Sequence, residues 1–86
     1  MAEEIEGKPI GKIIHYFDHI QVAVISLIDK LKAGETIRII GGDTDFEQVV
    51  DSMEVEHKKI DKAKKGDEVG LKVSQKVRDG YRVFKV

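Results

Sequence analysis

Short runs of β-branched residues, separated at close intervals by turn-forming residues, constrain the fold of this chain more than any other feature. The turn signals lie at 7–9, 18–19, 33–34, 41–43, 66–67 and 79–80, and most of them contain glycine. Valine- and isoleucine-rich runs between such signals are typical of strands. The sequence therefore predicts six strands, at residues 11–16, 22–28, 36–40, 49–55, 69–73 and 81–86.

Apolar and polar residues alternate in the last three of these runs, as expected for strands with one buried face. The inward-facing residues are predicted to be Val49, Met53, Val55, Val69, Leu71, Val73, Tyr81 and Val83. A small all-β chain usually closes into a barrel or a compact sandwich, because closure removes the exposed edges that would recruit other chains. We therefore expect an all-β fold of one of these two kinds.

Residues 20–33 allow a second interpretation. Val24, Leu27 and Leu31 follow a helical spacing, and Gly34 could end a helix there. The β-branched residues of this segment favour a strand. The local pattern alone leaves both interpretations open.

Length and composition predict a single domain covering residues 1–86, with residues 1–8 as a flexible N-terminal segment. Eighty-six residues, 41% hydrophobic and 36% charged, suffice for only one core. Without cysteine there is no disulfide and no thiolate metal site. The longest apolar stretch, residues 20–28, is too short to span a bilayer, and the acidic start (Glu3, Glu4, Glu6) is unlike a signal peptide. A cytoplasmic location without a membrane partner is expected.

The motifs of catalysis are missing from the sequence. Gly41-Gly42 lacks the lysine and hydroxyl of a phosphate-binding loop, so the chain alone is not expected to bind a nucleotide. No serine has a setting that suggests activation by a base. His15 and His19 would be about 13 Å apart in an extended segment, too far to share a metal. We expect no enzyme activity, no cofactor and no metal.

Charge is distributed unevenly along the chain. Twelve of the sixteen acidic residues lie within residues 1–56, whereas ten of the fifteen lysines and arginines lie within 57–86. The lysines at 58–65 could form a local positive face for phosphates despite the net charge of −1, or could simply be solvated loop residues.

Four blocks of the sequence carry a resemblance to a known family. They are Leu31–Ile39, Val50–His57, Ala63–Leu71 and Val77–Gly80. In this order and spacing, and over residues 30–83, they resemble the second domain of elongation factor Tu and its archaeal and eukaryotic counterparts. The resemblance implies a six-stranded closed β-barrel, with a strand instead of a helix in residues 20–33.

The opening segment, Gly11–Phe17, is more similar to the start of two other barrels. One occurs in small stand-alone elongation-factor-like proteins. The other ends a collagenase-like peptidase family that includes RNA-modifying enzymes. In these relatives the barrel is an accessory part and catalysis belongs to another domain, which implies a role in binding instead of chemistry.

The resemblance also suggests where RNA would bind. Glu54 matches a glutamate that lines the pocket for the terminal adenosine of transfer RNA, although Glu56 and Glu68 place carboxylates where the RNA would approach. Aromatic residues could stack on bases; the candidates are Tyr16, Phe17, Phe46, Tyr81 and Phe84, of which most are expected to be needed for the core and about one to be exposed. The predicted RNA-binding residues are Glu54, His57, Lys58, Lys59, Lys62, Lys64, Lys65, Lys72, Arg78 and Arg82, with Lys76 as a further cation.

Two functions therefore remain as hypotheses. The first is a stand-alone, translation-factor-like module that binds transfer RNA or ribosomal RNA through phosphate contacts. The alternative is an accessory module that docks on a separately encoded GTPase or RNA-modifying enzyme, with the acidic residues of 45–56 directed at a basic partner.

Overall fold

A computed structural model describes residues 7–56 and 58–86, and every regular element in them is a β-strand. The strands are β1 (Lys8–Phe17), β2 (Val22–Leu27), β3 (Leu31–Lys32), β4 (Thr36–Gly41), β5 (Thr44–Val49), β6 (Met53–Val55), β7 (Lys58–Ile60), β8 (Lys62–Ala63), β9 (Glu68–Lys72) and β10 (Arg82–Lys85). The all-β prediction is confirmed. The helical interpretation of residues 20–33 is wrong, because β2 alternates buried Ala23, Ile25 and Leu27 with half-buried residues.

Eight strands form one antiparallel sheet in the order β5-β4-β10-β1-β2-β9-β6-β7, and β3 pairs with β8 in a separate ribbon. β5 and β7 are the end strands, and no backbone ladder joins them within the described residues. Residues 7–56 and 58–86 contain ten strands instead of the predicted six, and the predicted closure into a barrel is not seen in their pairing.

One predicted strand, residues 49–55, is wrong as a single element. It divides into the end of β5 and the short strand β6. At the break, the amide of Val50 donates to the carbonyl of Glu35, and its own carbonyl accepts from the amide of Gly34. This turning of the backbone buries Val50 and leaves Val49, predicted to face inward, 57% exposed.

The core lies on the inner face of the curved sheet and consists of aliphatic side chains with little aromatic content. The predicted inward residues Val69, Leu71, Val73 and Val83 are buried in it, and Arg82 faces out. The largest fully buried side chains are Ile10, Ile13, Ile25, Leu31, Ile37, Ile39, Met53, Leu71, Val50, Val69, Val77 and Val83. The core therefore depends on β-branched and leucine packing from most of the sheet.

Strand β1 contains an irregularity that shapes the outer surface. Ile13 pairs with Ile25 and His15 pairs with Val24, so Ile14 is an extra residue in β1. A bulge of this kind re-aims the side chains that follow it. As a result Ile14 and His15 both face solvent, whereas Ile13 is fully buried.

The N-terminal prediction mostly lies outside the described residues, which begin at Gly7. Lys8 already belongs to β1, where it pairs with Lys85, and its ammonium forms a 2.9 Å ion pair with Asp29. No helix in the part of the chain that the structure describes could cross a membrane.

Candidate functional site

Two surface depressions flank the β1–β2 pair, one on the side of β10 and the other on the side of β9. We call the first the cleft: an open cavity of about 790 Å³ lined by His15, Tyr16, Lys76, Arg78, Asp79 and Tyr81, among others. We call the second the groove: an open cavity of about 510 Å³ lined by Phe17, Ile20, Val24, Glu54 and Gly70, among others. The cleft carries cations and aromatic rings, whereas the groove carries apolar side chains and carboxylates.

Backbone hydrogen bonds fix the cleft at the loop before β10. The amide of Gly80 donates to the carbonyl of Ile13 at 2.6 Å, and the amide of Ile13 donates to the carbonyl of Tyr81 at 2.8 Å. Buried Val77 anchors the loop in the core. Lys76 and Arg78, which flank Val77 in the sequence, are exposed. Both line the cleft together with residues 14–16 of β1.

The ring of Tyr81 takes the place that a side chain at Gly41 would occupy. A Cβ built on Gly41 would collide with the Cδ1 and Cγ atoms of that ring. Tyr81 and Tyr16 are both half-buried and pack against the core, so one part of each ring is held while another lines the cleft. This combination of packed rings and exposed cations suits stacking on a nucleobase beside a phosphate contact.

The other three aromatic residues that were candidates for stacking on bases do not line the cleft. Phe46 and Phe84 are buried, as expected if most of the aromatic residues are used for packing, so neither offers a stacking platform. Phe17 is 46% exposed and contacts the ring of His15 edge-on, with the ring centres 4.3 Å apart.

The five lysines between residues 58 and 65 lie on β7, which is the second strand of the β6–β7 hairpin, on β8 and just after it; we call this region the lysine hairpin. They are Lys58, Lys59, Lys62, Lys64 and Lys65, all exposed. None of them forms an ion pair with another described residue. Glu54 is opposite Lys59 in the β6–β7 register, but the two charges are not in contact. The predicted site residue His57 lies outside the described residues.

Lys72 and Arg82 belong to different parts of the sheet. Lys72 pairs with Val22 on one side of β2, and Arg82 pairs with Lys12 on the far side of β1. Two strands separate β9 from β10, which corresponds to about 14 Å. The structure thus divides the predicted cations among the cleft, the lysine hairpin and these two strand positions.

Glu54 lies in the groove, with Lys59 as its cross-strand neighbour on β7. It shares the groove with residues 66–68 and Gly70. The cross-strand row that runs through Val24, Gly70 and Glu54 has a gap where Gly70 has no side chain. No lysine or arginine lines this groove. The acids at 54, 56 and 68 were visible in the sequence, but their grouping with apolar residues of β1 and β2 was not.

Among residues 7–56 and 58–86, no group of three or more metal-ligating side chains is arranged to hold a metal ion. His15 is in β1, whereas His19 is in the following turn, 3.9 Å from Asp18.

Comparisons with known proteins identify relatives of this chain by sequence and by fold. No protein-family model matches the chain. An uncharacterized protease of Methanocaldococcus jannaschii is 43% identical over 89 aligned residues, which cover 94% of this chain but 22% of that protein. The chain thus spans about a fifth of the curated relative that it matches.

Two crystal structures of the C-terminal domain of a putative U32 peptidase from Geobacillus thermoleovorans share the fold. The selenomethionine variant superposes with a TM-score of 0.86 over 91% of this chain and 99% of that domain, at 18% identity. The second structure gives 0.85 over 100% and 99%, at 17% identity. At the level of the fold, this confirms the similarity to the domain that ends collagenase-like peptidases; the likeness to elongation factor Tu remains a sequence-based prediction. The chain is similar to the terminal domain of a larger peptidase-like protein.

Proposed function

We propose that this chain is an accessory module that binds RNA and contributes no catalytic step of its own. The observation that carries the proposal is the cleft, where exposed Lys76 and Arg78 lie beside the half-buried rings of Tyr16 and Tyr81. Cations supply phosphate contacts and rings supply sequence-tolerant stacking, the combination used for single-stranded nucleic acid.

The lysine hairpin would add a second region of phosphate contact. Its five lysines form no ion pairs with described carboxylates, so a phosphate would not have to displace an existing partner. Each phosphate neutralised releases counterions, which strengthens binding at low salt. Transfer RNA and ribosomal RNA, with exposed single-stranded bases and ends, are the proposed ligands, which agrees with a cytoplasmic location.

An accessory role also fits the proteins to which the chain is similar. The solved neighbours are the C-terminal domain of a putative peptidase, and the curated relative is named a protease of which this chain covers 22%. We propose that any catalysis lies in other parts of such proteins, and that a domain like this one presents the substrate RNA to them.

The test is fluorescence anisotropy with a labelled single-stranded RNA and with a transfer RNA transcript. Binding should weaken steeply between ~50 and ~200 mM salt, with a slope near −0.7 per phosphate contact for the single strand. Arg78→Glu should weaken binding about tenfold or more relative to Lys30→Glu, which makes the same charge change at an exposed lysine outside the cleft. Salt-insensitive binding, or equal effects of the two variants, would reject the cleft as the RNA site.

The alternative is a protein-docking module for a separately encoded GTPase or RNA-modifying enzyme. The groove favours it, because carboxylates around an apolar surface suit a basic protein segment better than a phosphate backbone.

A further inference from the structure

The groove has a chemistry that RNA binding does not explain. It is lined on one side by the β1–β2 turn and β2, and on the other by β6, its turn and residues 66–68. Gly70 is one of its lining residues, and the nearest atom to a virtual Cβ there is a Val22 methyl carbon at 3.4 Å. The missing side chain therefore leaves an open depression in an otherwise regular strand row.

The floor and one wall of the groove are apolar. Ile20 is 59% exposed and Phe17 46% exposed, and both line the groove. Half-buried Val24 and Val55 add to this surface. Large apolar side chains exposed together around a depression mark an interaction surface more often than scattered single ones do.

Carboxylates surround that apolar surface. Glu54, Glu56 and Glu68 are exposed and line the groove. None of the three forms a hydrogen bond or ion pair with another described side chain. Asp67, in contrast, is used by the fold, since its Oδ2 accepts the amide of Lys64 at 3.1 Å. Three carboxylates are thus available around an apolar centre, with no cation in the lining.

We propose that the groove binds a segment of a partner protein that carries arginine or lysine on either side of an apolar side chain. The apolar residue would lie over Gly70, between Val24 and Glu54, and its burial would supply most of the affinity. The flanking cations would contact Glu54, Glu56 and Glu68 and would set specificity and the association rate. An RNA backbone is a poor occupant, because its phosphates would face these same carboxylates.

This site is distinct from the cleft, so it is testable whether or not RNA binding holds. The probe is a fluorescein-labelled, capped peptide of alternating arginine and leucine. One control peptide replaces leucine by serine, and another replaces arginine by glutamate. Spermidine, a cation without an apolar anchor, serves as competitor. We expect the arginine–leucine peptide to bind at least tenfold more tightly than either control peptide, with weak competition by spermidine.

Two variants test the location. Gly70→Val should fill the depression, because its Cβ would meet no atom closer than the Val22 methyl carbon at 3.4 Å, and it should weaken peptide binding more than tenfold. Glu54→Gln with Glu56→Gln should weaken it about tenfold at low salt and less at high salt. Asp43→Asn, an exposed acid in the β4–β5 turn outside the groove, is the matched control and should leave binding unchanged.

Several results of these experiments would contradict the groove proposal. Equal binding of the serine and leucine peptides, full competition by spermidine, or unchanged peptide affinity in Gly70→Val would overturn the proposal. Loss of RNA binding in Gly70→Val, with Arg78→Glu unaffected, would also overturn it and would assign the groove to RNA. If RNA binding depends on the cleft and the peptide fails to bind, the groove proposal fails while the proposed function stands.

Discussion

The side-chain amide of Gln48 donates a 2.9 Å hydrogen bond to the backbone carbonyl of Lys72. Its oxygen accepts the amide of Ser74, also at 2.9 Å. Gln48 belongs to end strand β5, whereas residues 72–74 leave β9, and four strands lie between β5 and β9 in the sheet order. One side chain therefore ties an end of the sheet to an interior strand that no backbone ladder connects to it.

We predict that Gln48→Met lowers the free energy of unfolding by about 1–2 kcal/mol, because it keeps the side-chain length but removes both hydrogen bonds. Urea denaturation measures the change. Gln75→Met, at an exposed position without such bonds, is the control and should have little effect. Equal stability of the two variants would mean that the tie does not hold the sheet end.

Two strand glycines should respond differently to alanine. A Cβ at Gly11 would lie 2.5 Å from the carbonyl oxygen of Ser26, a backbone atom in the paired strand, whereas at Gly70 the nearest atom is 3.4 Å away. Gly11→Ala should cost about 2–3 kcal/mol of stability, and Gly70→Ala less than about 0.5. Denaturant unfolding of both variants makes the comparison, and similar losses would contradict the geometry.

The β1–β2 turn contains Gln21 at φ 58°, a left-handed conformation unfavourable for residues with a side chain. Its carbonyl accepts the amide of Val73, a bond that any residue can keep. Gln21→Gly should therefore raise the free energy of unfolding by about 0.5–1 kcal/mol. This gain is the backbone strain that glycine relieves, less the extra conformational entropy that glycine loses on folding. Thermal or urea unfolding measures it, and Gln75→Gly should give no gain. A loss of stability in Gln21→Gly would show that the turn is not strained.

Acid should remove the stabilisation that the ionised carboxylate of Asp45 gives to the folded protein. Arg38 donates two hydrogen bonds to this carboxylate, at 2.8 and 2.7 Å, and these bonds hold the pKa of Asp45 below its ordinary value. A carboxyl with a lowered folded-state pKa stabilises the protein above its unfolded pKa and loses that effect as pH falls through the folded pKa.

Asp45→Asn should therefore be less stable than the wild type near neutral pH, and the difference should shrink once the pH is below about 4. Thermal unfolding across that range tests it, with Asp43→Asn as the control that forms no ion pair within the described residues. A difference that is constant with pH would exclude the ion pair as its cause.

Stacking in the cleft predicts a contrast at Tyr81. Tyr81→Leu keeps apolar bulk beside Gly41 but removes the ring, so RNA affinity should fall by about 1–3 kcal/mol. Tyr81→Phe keeps the ring and should bind RNA as the wild type does. Anisotropy titrations at fixed salt give both values. Equal losses in the two variants would indicate a role for the hydroxyl instead of stacking.

The sequence predicted most closely the strands that are dense in valine and isoleucine and are flanked by turn residues. β2, β4, β9 and β10 lie within one or two residues of the predicted runs, whereas the alternating run 49–55 divides into the end of β5 and β6. β5 was missed because its outward residues include Asp45 and Glu47 and only Phe46 is buried. Two- and three-residue strands rich in lysine, such as β7 and β8, carry no periodic signal at all.

The candidate sites were predictable only in part. Arg78 and Glu54 were identified from the sequence, but the cleft joins Tyr16 to Tyr81 across most of the chain length. Their proximity depends on the β1–β10 register and on the bulge at Ile14, and neither is encoded in a local pattern. The separation of the cations into several surfaces has the same origin.

An NMR titration of isotope-labelled protein with a short single-stranded RNA tests the RNA-binding claim most directly. We predict chemical-shift changes at the amides of Tyr16, Arg78 and Tyr81 and along the lysine hairpin, with those of Val24 and Gly70 unchanged. Changes centred on Gly70 and Glu54, or no changes at low salt, would contradict it.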